Sequence, residues 1–169
     1  VQNIHHFRDD ALRGSAPPVE RVVVFDEAQR AWSREQASKF MQQKRGHLNF
    51  DMSEPAFLIS VMDRHEDWCV IVCLVGGGQE INTGEAGIIE WFESLKRRFP
   101  DWDVHVSSQL VDNEYTQGKD IFHGFPNGKV THNNDLHLSV SIRSFRSEKV
   151  AALVKSILDL KEDDAIDLY

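Results

Sequence analysis

Apolar and polar positions along the chain predict strands and helices in alternation. Unbroken apolar runs or strict alternation predict four strands, over residues 21–26, 68–75, 102–106 and 136–143. Helical spacing or helix-start residues predict helices over residues 3–12, 33–45, 53–65, 82–99 and from 147 to about 158. The first two strands are rich in β-branched residues, which suits a parallel sheet covered on both faces.

This order of elements predicts an α/β fold with three layers and a mainly parallel sheet. Ser53 precedes a proline in the first turn of its helix, which is typical of a capped helix start. We expect one domain over residues 1–169, with an irregular insertion at about 112–134 where glycine and proline interrupt the pattern. The acidic tail KEDDAIDLY is expected to fray.

Composition is that of a soluble globular protein, with 41% hydrophobic and 27% charged residues in a chain of 169. A net charge of −8 argues against strong electrostatic binding of nucleic acid by this chain alone. The one compact basic run, Lys96 to Arg98, is expected to be a solvated helix face. No apolar run approaches the roughly 20 residues that span a bilayer, so we expect no membrane partner.

The two cysteines also bear on the setting of the protein. Cys69 and Cys73 share a face of one predicted strand but stand roughly 13 Å apart, too far for a disulfide. We therefore expect a reduced, cytoplasmic protein without a secretory signal.

Candidate chemistry lies at the carboxyl ends of three predicted strands, where ligands gather in parallel sheets. Asp26 and Glu27 follow VVVF, and such a pair can hold a magnesium ion and orient the attacking water. Gln79 follows a glycine triplet and is suited to sensing a γ-phosphate. Arg143 ends the last strand, where a guanidinium can stabilise charge on a transferring phosphoryl group.

Each of these residues also has an interpretation without chemistry. The acids can begin a solvated helix, the glycine triplet can be a plain helix-start turn, and Arg143 can form a surface ion pair with an acid such as Glu148. The glycine segment is not a phosphate loop, because Glu85 stands where GxxxxGK[ST] requires lysine. The eight histidines match neither HExxH nor the ligand spacing of a zinc site.

Three stretches together resemble the Schlafen-group-3-like DNA/RNA helicase domain family, a group of superfamily-one helicase-like P-loop ATPases. They are VVVFDEAQRAW, WCVIVCLVGGGQEINTGEAGIIEW and LHLSVSIRSFRSEKVAALVKSIL. The resemblance implies that Asp26 and Glu27 are the Walker B pair, Gln79 the motif III glutamine and Arg143 the motif IV arginine. It also implies nucleotide contacts by four neighbouring residues: Gln29, Arg30, Gly77 and Gly78.

The family carries a phosphate loop before the Walker B strand, and this chain has none. We therefore expect an incomplete RecA-like domain, an internal fragment of a longer protein that uses ATP and Mg²⁺ and acts on nucleic acid. The fragment alone is expected to bind neither cofactor tightly and not to hydrolyse ATP. Two alternatives stay open: a degenerate NTPase scaffold that acts as a binding or regulatory module, and a magnesium-dependent nuclease.

Overall fold

The computed structural model describes residues 4–45, 50–76, 84–111, 120–138 and 148–169. Within these ranges the α-helices are α1 (Ile4–Leu12), α2 (Arg34–Arg45), α3 (Glu54–Met62), α4 (Gly87–Arg98), α5 (Glu148–Leu158) and α6 (Glu162–Leu168). The strands are β1 (Val22–Phe25), β2 (Val70–Cys73), β3 (Val104–Ser107) and β4 (Val130–Asn133). Three short 3₁₀ helices follow strand ends: η1 (Ala28–Arg30), η2 (Ser108–Val111) and η3 (Asn134–Leu136).

The described strands form two parallel pairs, which confirms the α/β class. β1 lies beside β2 with Val22 opposite Val70, and β3 lies beside β4 with Val104 opposite Val130. The two pairs are separate two-stranded sheets among the described residues, whereas the sequence predicted a single sheet.

The first core lies on one face of the β1–β2 sheet. It contains buried residues from β1, the turn after it, α3 and α4: Phe25, Ala28, Ala31, Leu58, Ile59 and Trp91. Helix α3 is almost wholly buried and begins as predicted, because the Ser53 hydroxyl accepts a hydrogen bond from the Ala56 amide at 3.3 Å. The capped, apolar helix α3 thus packs in the same core as Phe25, the last residue of the strand before the acids.

Helix α4 connects the two sheets. Its Trp91 packs in the first core, whereas Ile88 and Phe92 pack in a second core with Val106 and Ile121. Residues three and four apart share a helix face, so Ile88 and Phe92 form the apolar stripe that the sequence predicted. The neighbouring Trp91 extends that stripe toward the first sheet.

The expectation that both faces of the first sheet are covered was wrong for the described residues. Val22 and Val24 are 51% and 59% exposed, and their partners Val70 and Val72 are 43% and 38% exposed. Side chains alternate across a strand, and the described helices cover only the face that carries Phe25. An unbroken run of valines therefore does not distinguish a strand covered on two faces from one covered on a single face.

Three further expectations differ from the structure. Residues 130–133, inside the segment expected to be irregular, form β4, and Leu136 ends η3 where a strand was predicted. The rest of that predicted strand, residues 139–143, lies outside the described residues. The acidic tail forms α6, whose first turn holds Glu162, Asp163 and Asp164, where carboxylates suit the helix dipole.

Both cysteines are free thiols, in line with the spacing argument. Burial raises the pKa of the Cys73 thiol to about 12. Among the described residues, none of the helices has the length and apolar content needed to cross a bilayer.

Candidate functional site

The acids predicted to carry chemistry lie in a tight turn, residues 26–30, which we call the acid turn. Leu74, the residue that follows β2, holds this turn in place by two backbone hydrogen bonds. The Leu74 amide donates to the Phe25 carbonyl at 2.9 Å, and the Leu74 carbonyl accepts from the Ala28 amide at 2.9 Å. From the other side, the indole of Trp91 donates to the Ala28 carbonyl at 2.8 Å. The backbone of the acid turn is therefore fixed by two different elements.

Asp26 and Glu27 are both exposed at the carboxyl end of β1. Asp26 accepts the amide of Glu27 on Oδ1 at 3.0 Å. Glu27 has φ 52° and ψ 43°, a left-handed conformation that is uncommon for a residue with a side chain. Such backbone conformations concentrate at functional sites, where the surrounding structure offsets their strain.

Gln29 connects the acid turn with Gly76, which lies three residues after β2. Its side-chain amide donates from Nε2 to Oε2 of Glu27 at 2.6 Å. Its Oε1 accepts the backbone amide of Gly76 at 3.3 Å. Both ends of the Gln29 amide thus have hydrogen-bond partners within the protein, and only 7% of the residue is exposed to solvent.

The side chain of Arg30 extends from the acid turn toward Glu85. Its Nε lies 3.6 Å from Oε1 of Glu85, and about half of the arginine side chain remains exposed. Two backbone hydrogen bonds run alongside this ion pair: the Ala86 amide donates to the Ala31 carbonyl at 2.7 Å, and the Ser33 amide donates to the Gly84 carbonyl at 2.8 Å. The residues after the acid turn are thus paired with residues 84–86.

A buried ion pair supports the same region, and sequence reasoning missed it. Arg8 of α1 and Glu54 of α3 are 2% and 4% exposed, with 3.3 Å between NH1 and Oε1. Glu54 uses its Oε2 to accept the Trp32 amide at 2.9 Å, while the Trp32 carbonyl accepts the Glu54 amide at 3.0 Å. The guanidinium of Arg8 also lies over the rings of Trp32 and Phe40.

The sequence carried little signal for that pair. Glu54 looked like an ordinary first-turn acid beside a cap, and Arg8 lies in a polar helix next to two histidines. The one available hint was an acid at the first position of a largely apolar helix, because such a helix has little exposed surface to receive it.

Of the predicted site residues, the structure describes four, and it brings them together in the acid turn: Asp26, Glu27, Gln29 and Arg30. The other four lie outside the described residues: Gly77, Gly78, Gln79 and Arg143.

A magnesium ion is the metal that the resemblance implies. In the described part of the chain, no group of three or more histidine, cysteine, aspartate or glutamate residues is arranged so that it could hold a metal ion. Magnesium bound with a nucleotide needs only one or two protein carboxylates, because phosphate oxygens and water complete its coordination. An exposed Asp26 beside Glu27 fits such a site, in which the ion would neutralise charge on the phosphates.

The basic run at the end of α4 is partly neutralised by an acid on the same helix. Lys96 and Arg97 both form ion pairs with Glu93. The hydrogen bond from Lys96, with support from Arg97, lowers the pKa of Glu93 below its usual value. Arg97 and Arg98 are exposed, as expected of a solvated helix face, whereas the Lys96 side chain is only 14% exposed and donates to the His123 carbonyl at 3.2 Å, so the expectation was wrong for Lys96.

The fold and the acid turn define an α/β protein whose candidate site lies at the carboxyl edge of a parallel strand pair. Comparison with family models matches the Schlafen group 3, DNA/RNA helicase domain over residues 1–169. The chain therefore belongs to this family, which indicates a helicase-like function related to nucleic acid. Searches of the curated proteins and of the solved structures gave no match.

Proposed function

We propose that this chain carries part of the ATP-hydrolysing site of a nucleic-acid-dependent ATPase of the helicase type, on a RecA-like P-loop domain. The observation that carries the proposal is the acid turn: two exposed carboxylates, one on a left-handed residue, follow a parallel strand and are fixed by hydrogen bonds from β2 and α4. Family membership over residues 1–169 supports it.

The residues divide into binding and chemical roles. Asp26 would hold Mg²⁺, and the Glu27 carboxylate would accept a proton from the attacking water. Arg30 is half exposed and can turn toward a phosphate, and the backbone amides of Gly77 and Gly78 are proposed to bind phosphate as well. Gln79 would contact the γ-phosphate, and Arg143 would stabilise charge that develops during transfer.

Chain connectivity supports a role for Gln79 beside the acids. Gly76 is hydrogen-bonded to Gln29, and Gln79 is three residues further along the chain. Three residues span at most about 11 Å between Cα atoms, which keeps Gln79 within reach of the same nucleotide. Arg143 has no comparable anchor among the described residues, and its role rests on the family resemblance.

The test is Glu27→Gln in the full-length protein that carries this domain. We expect ATP hydrolysis stimulated by DNA or RNA to fall at least about 100-fold, because a general base contributes about that much, while ATP still binds. Glu20→Gln, an exposed glutamate before the amino end of the same strand, is the matched control and should leave hydrolysis unchanged.

Unchanged hydrolysis in Glu27→Gln would refute the assignment of Glu27. A protein that binds nucleic acid but hydrolyses no ATP, with or without Glu27, would instead fit a degenerate scaffold with a binding or regulatory role.

A further inference from the structure

We infer that Gln29 is a positioning residue, which fixes the Glu27 carboxylate against the Gly76 amide and does not itself contact the nucleotide. This inference rests on the proposed function, because it assigns Gln29 a task in the same site. It replaces the sequence-based expectation that Gln29 binds the nucleotide.

The hydrogen-bonding groups around Gln29 allow one orientation of its amide. Glu27 offers a carboxylate oxygen, which can only accept, and Gly76 offers a backbone N–H, which can only donate. The NH₂ group must therefore face Glu27 and the carbonyl must face Gly76. Glutamine is the side chain whose length and two unlike ends meet both demands, and glutamate would place two carboxylates against each other.

The backbone on either side of Gln29 limits where its side chain can go. The preceding residue, Ala28, is held at its amide by Leu74 and at its carbonyl by Trp91. Gln29 itself is 7% exposed, whereas the next residue, Arg30, has a side chain that is 49% exposed. Of these two neighbours, Arg30 is placed to reach a ligand and Gln29 is placed to hold a protein group.

Through these two hydrogen bonds, Gln29 connects Glu27, after β1, with Gly76, after β2. A shift of Gly76, three residues after β2, would move the Gln29 carbonyl and so change the hydrogen bond that orients the Glu27 carboxylate. A misoriented general base slows proton transfer but leaves nucleotide binding intact.

Kinetics of the full-length protein separate the two roles. Gln29→Met keeps the length of the side chain and removes both polar ends. We expect kcat for ATP to fall 10- to 100-fold, with KM changed less than twofold. A nucleotide-contacting residue would instead raise KM and leave kcat near its original value, and that result would overturn the inference. Gln109→Met, at an exposed glutamine of η2, is the control and should change neither constant.

The outcome for Glu27→Gln keeps the two claims apart. If Glu27→Gln retains hydrolysis, the proposed function fails whatever Gln29 does. If Glu27→Gln abolishes hydrolysis while Gln29→Met keeps kcat, the inference about Gln29 fails and the proposed function stands.

A second measurement does not depend on activity or on the folding of a Gln29 variant. In the 169-residue chain, the side-chain amide protons of Gln29 are expected to exchange slowly with solvent and to be visible by NMR. Glu27→Gly removes the carboxylate and tolerates the left-handed backbone. It should speed that exchange at least tenfold and shift the resonance, whereas Glu20→Gly should not. Equal exchange in the original chain and Glu27→Gly would overturn the inference.

Discussion

Removal of the charge on Glu54 should destabilise the protein far more than removal of a charge on its surface. Arg8 and Glu54 are 2% and 4% exposed, so neither charge has water to replace its partner. Breaking a buried pair from one side costs about 3 to 5 kcal/mol, because the remaining charge stays in a poorly polarisable interior. In Glu54→Gln the new amide can still accept the Trp32 amide, so we expect the lower end, about 3 kcal/mol.

Glu54→Leu should cost more. It removes a carboxylate that contacts Arg8 and an acceptor that the Trp32 amide uses, and the loss of a hydrogen-bond partner from an amide shielded from water adds about 1 to 3 kcal/mol. The combined cost of the broken ion pair and the lost acceptor is comparable to the whole free energy of unfolding of many domains, about 5 to 15 kcal/mol. This variant should therefore be largely unfolded.

Urea unfolding followed by tryptophan fluorescence measures the effect. With a slope of about 1 to 3 kcal/mol per molar, Glu54→Gln should lower the midpoint by about 1 M or more. The control is Asp103→Asn, which removes the charge of an exposed carboxylate that pairs with the partly buried Lys129 and should cost at most about 1 kcal/mol. Arg8→Met combined with Glu54→Gln should recover much of the loss, since both charges of the pair are then removed together. Equal costs for Glu54→Gln and Asp103→Asn would refute the reasoning.

Three more predictions concern single positions. Gly84→Ala should cost about 1 to 2 kcal/mol in urea unfolding, because φ is +97° and the new Cβ would lie 3.2 Å from Gln36, whereas Gly14→Ala meets no atom within 4 Å and should be neutral. Ser53→Ala should cost about 1 kcal/mol in the same assay through loss of the α3 cap. Cys73 should react slowly with a thiol reagent, because burial raises the pKa of its thiol and so lowers the fraction of thiolate. Because its pKa rises from 9.0 unfolded to about 12 folded, its contribution to stability is complete below pH 9 and lost toward pH 12, which urea titrations across that range would detect.

The sequence was sufficient for local features. The Ser53 cap, the apolar stripe of α4 and the two strands beside the acid turn all depend on neighbouring residues or on simple periodicity, and the structure contains each of them. The grouping of Asp26, Glu27, Gln29 and Arg30 also followed, because four of five consecutive residues at a strand end cannot be far apart.

Features that depend on distant residues could not be predicted. Glu54 is 46 positions from Arg8 in the chain, and no periodicity connects a polar helix to the first turn of a buried one. The exposure of Val22 and Val24 likewise depends on which helices lie above the sheet, and valine is compatible with either environment. The same holds for β4, a short polar strand that pairing with β3 stabilises more than its own residues do.

The pairing of β1 with β2 bears on how the acid turn is assembled during folding. Val22 and Val70 are 48 positions apart along the chain, whereas Val104 and Val130 are 26 apart. Closing the longer loop costs more entropy and delays contact formation, so we expect the β3–β4 pair to form earlier. Because Leu74 forms hydrogen bonds with the residues on either side of Asp26 and Glu27, the carboxylates would reach their final geometry only in the later step. A newly made chain would therefore acquire its candidate site near the end of folding.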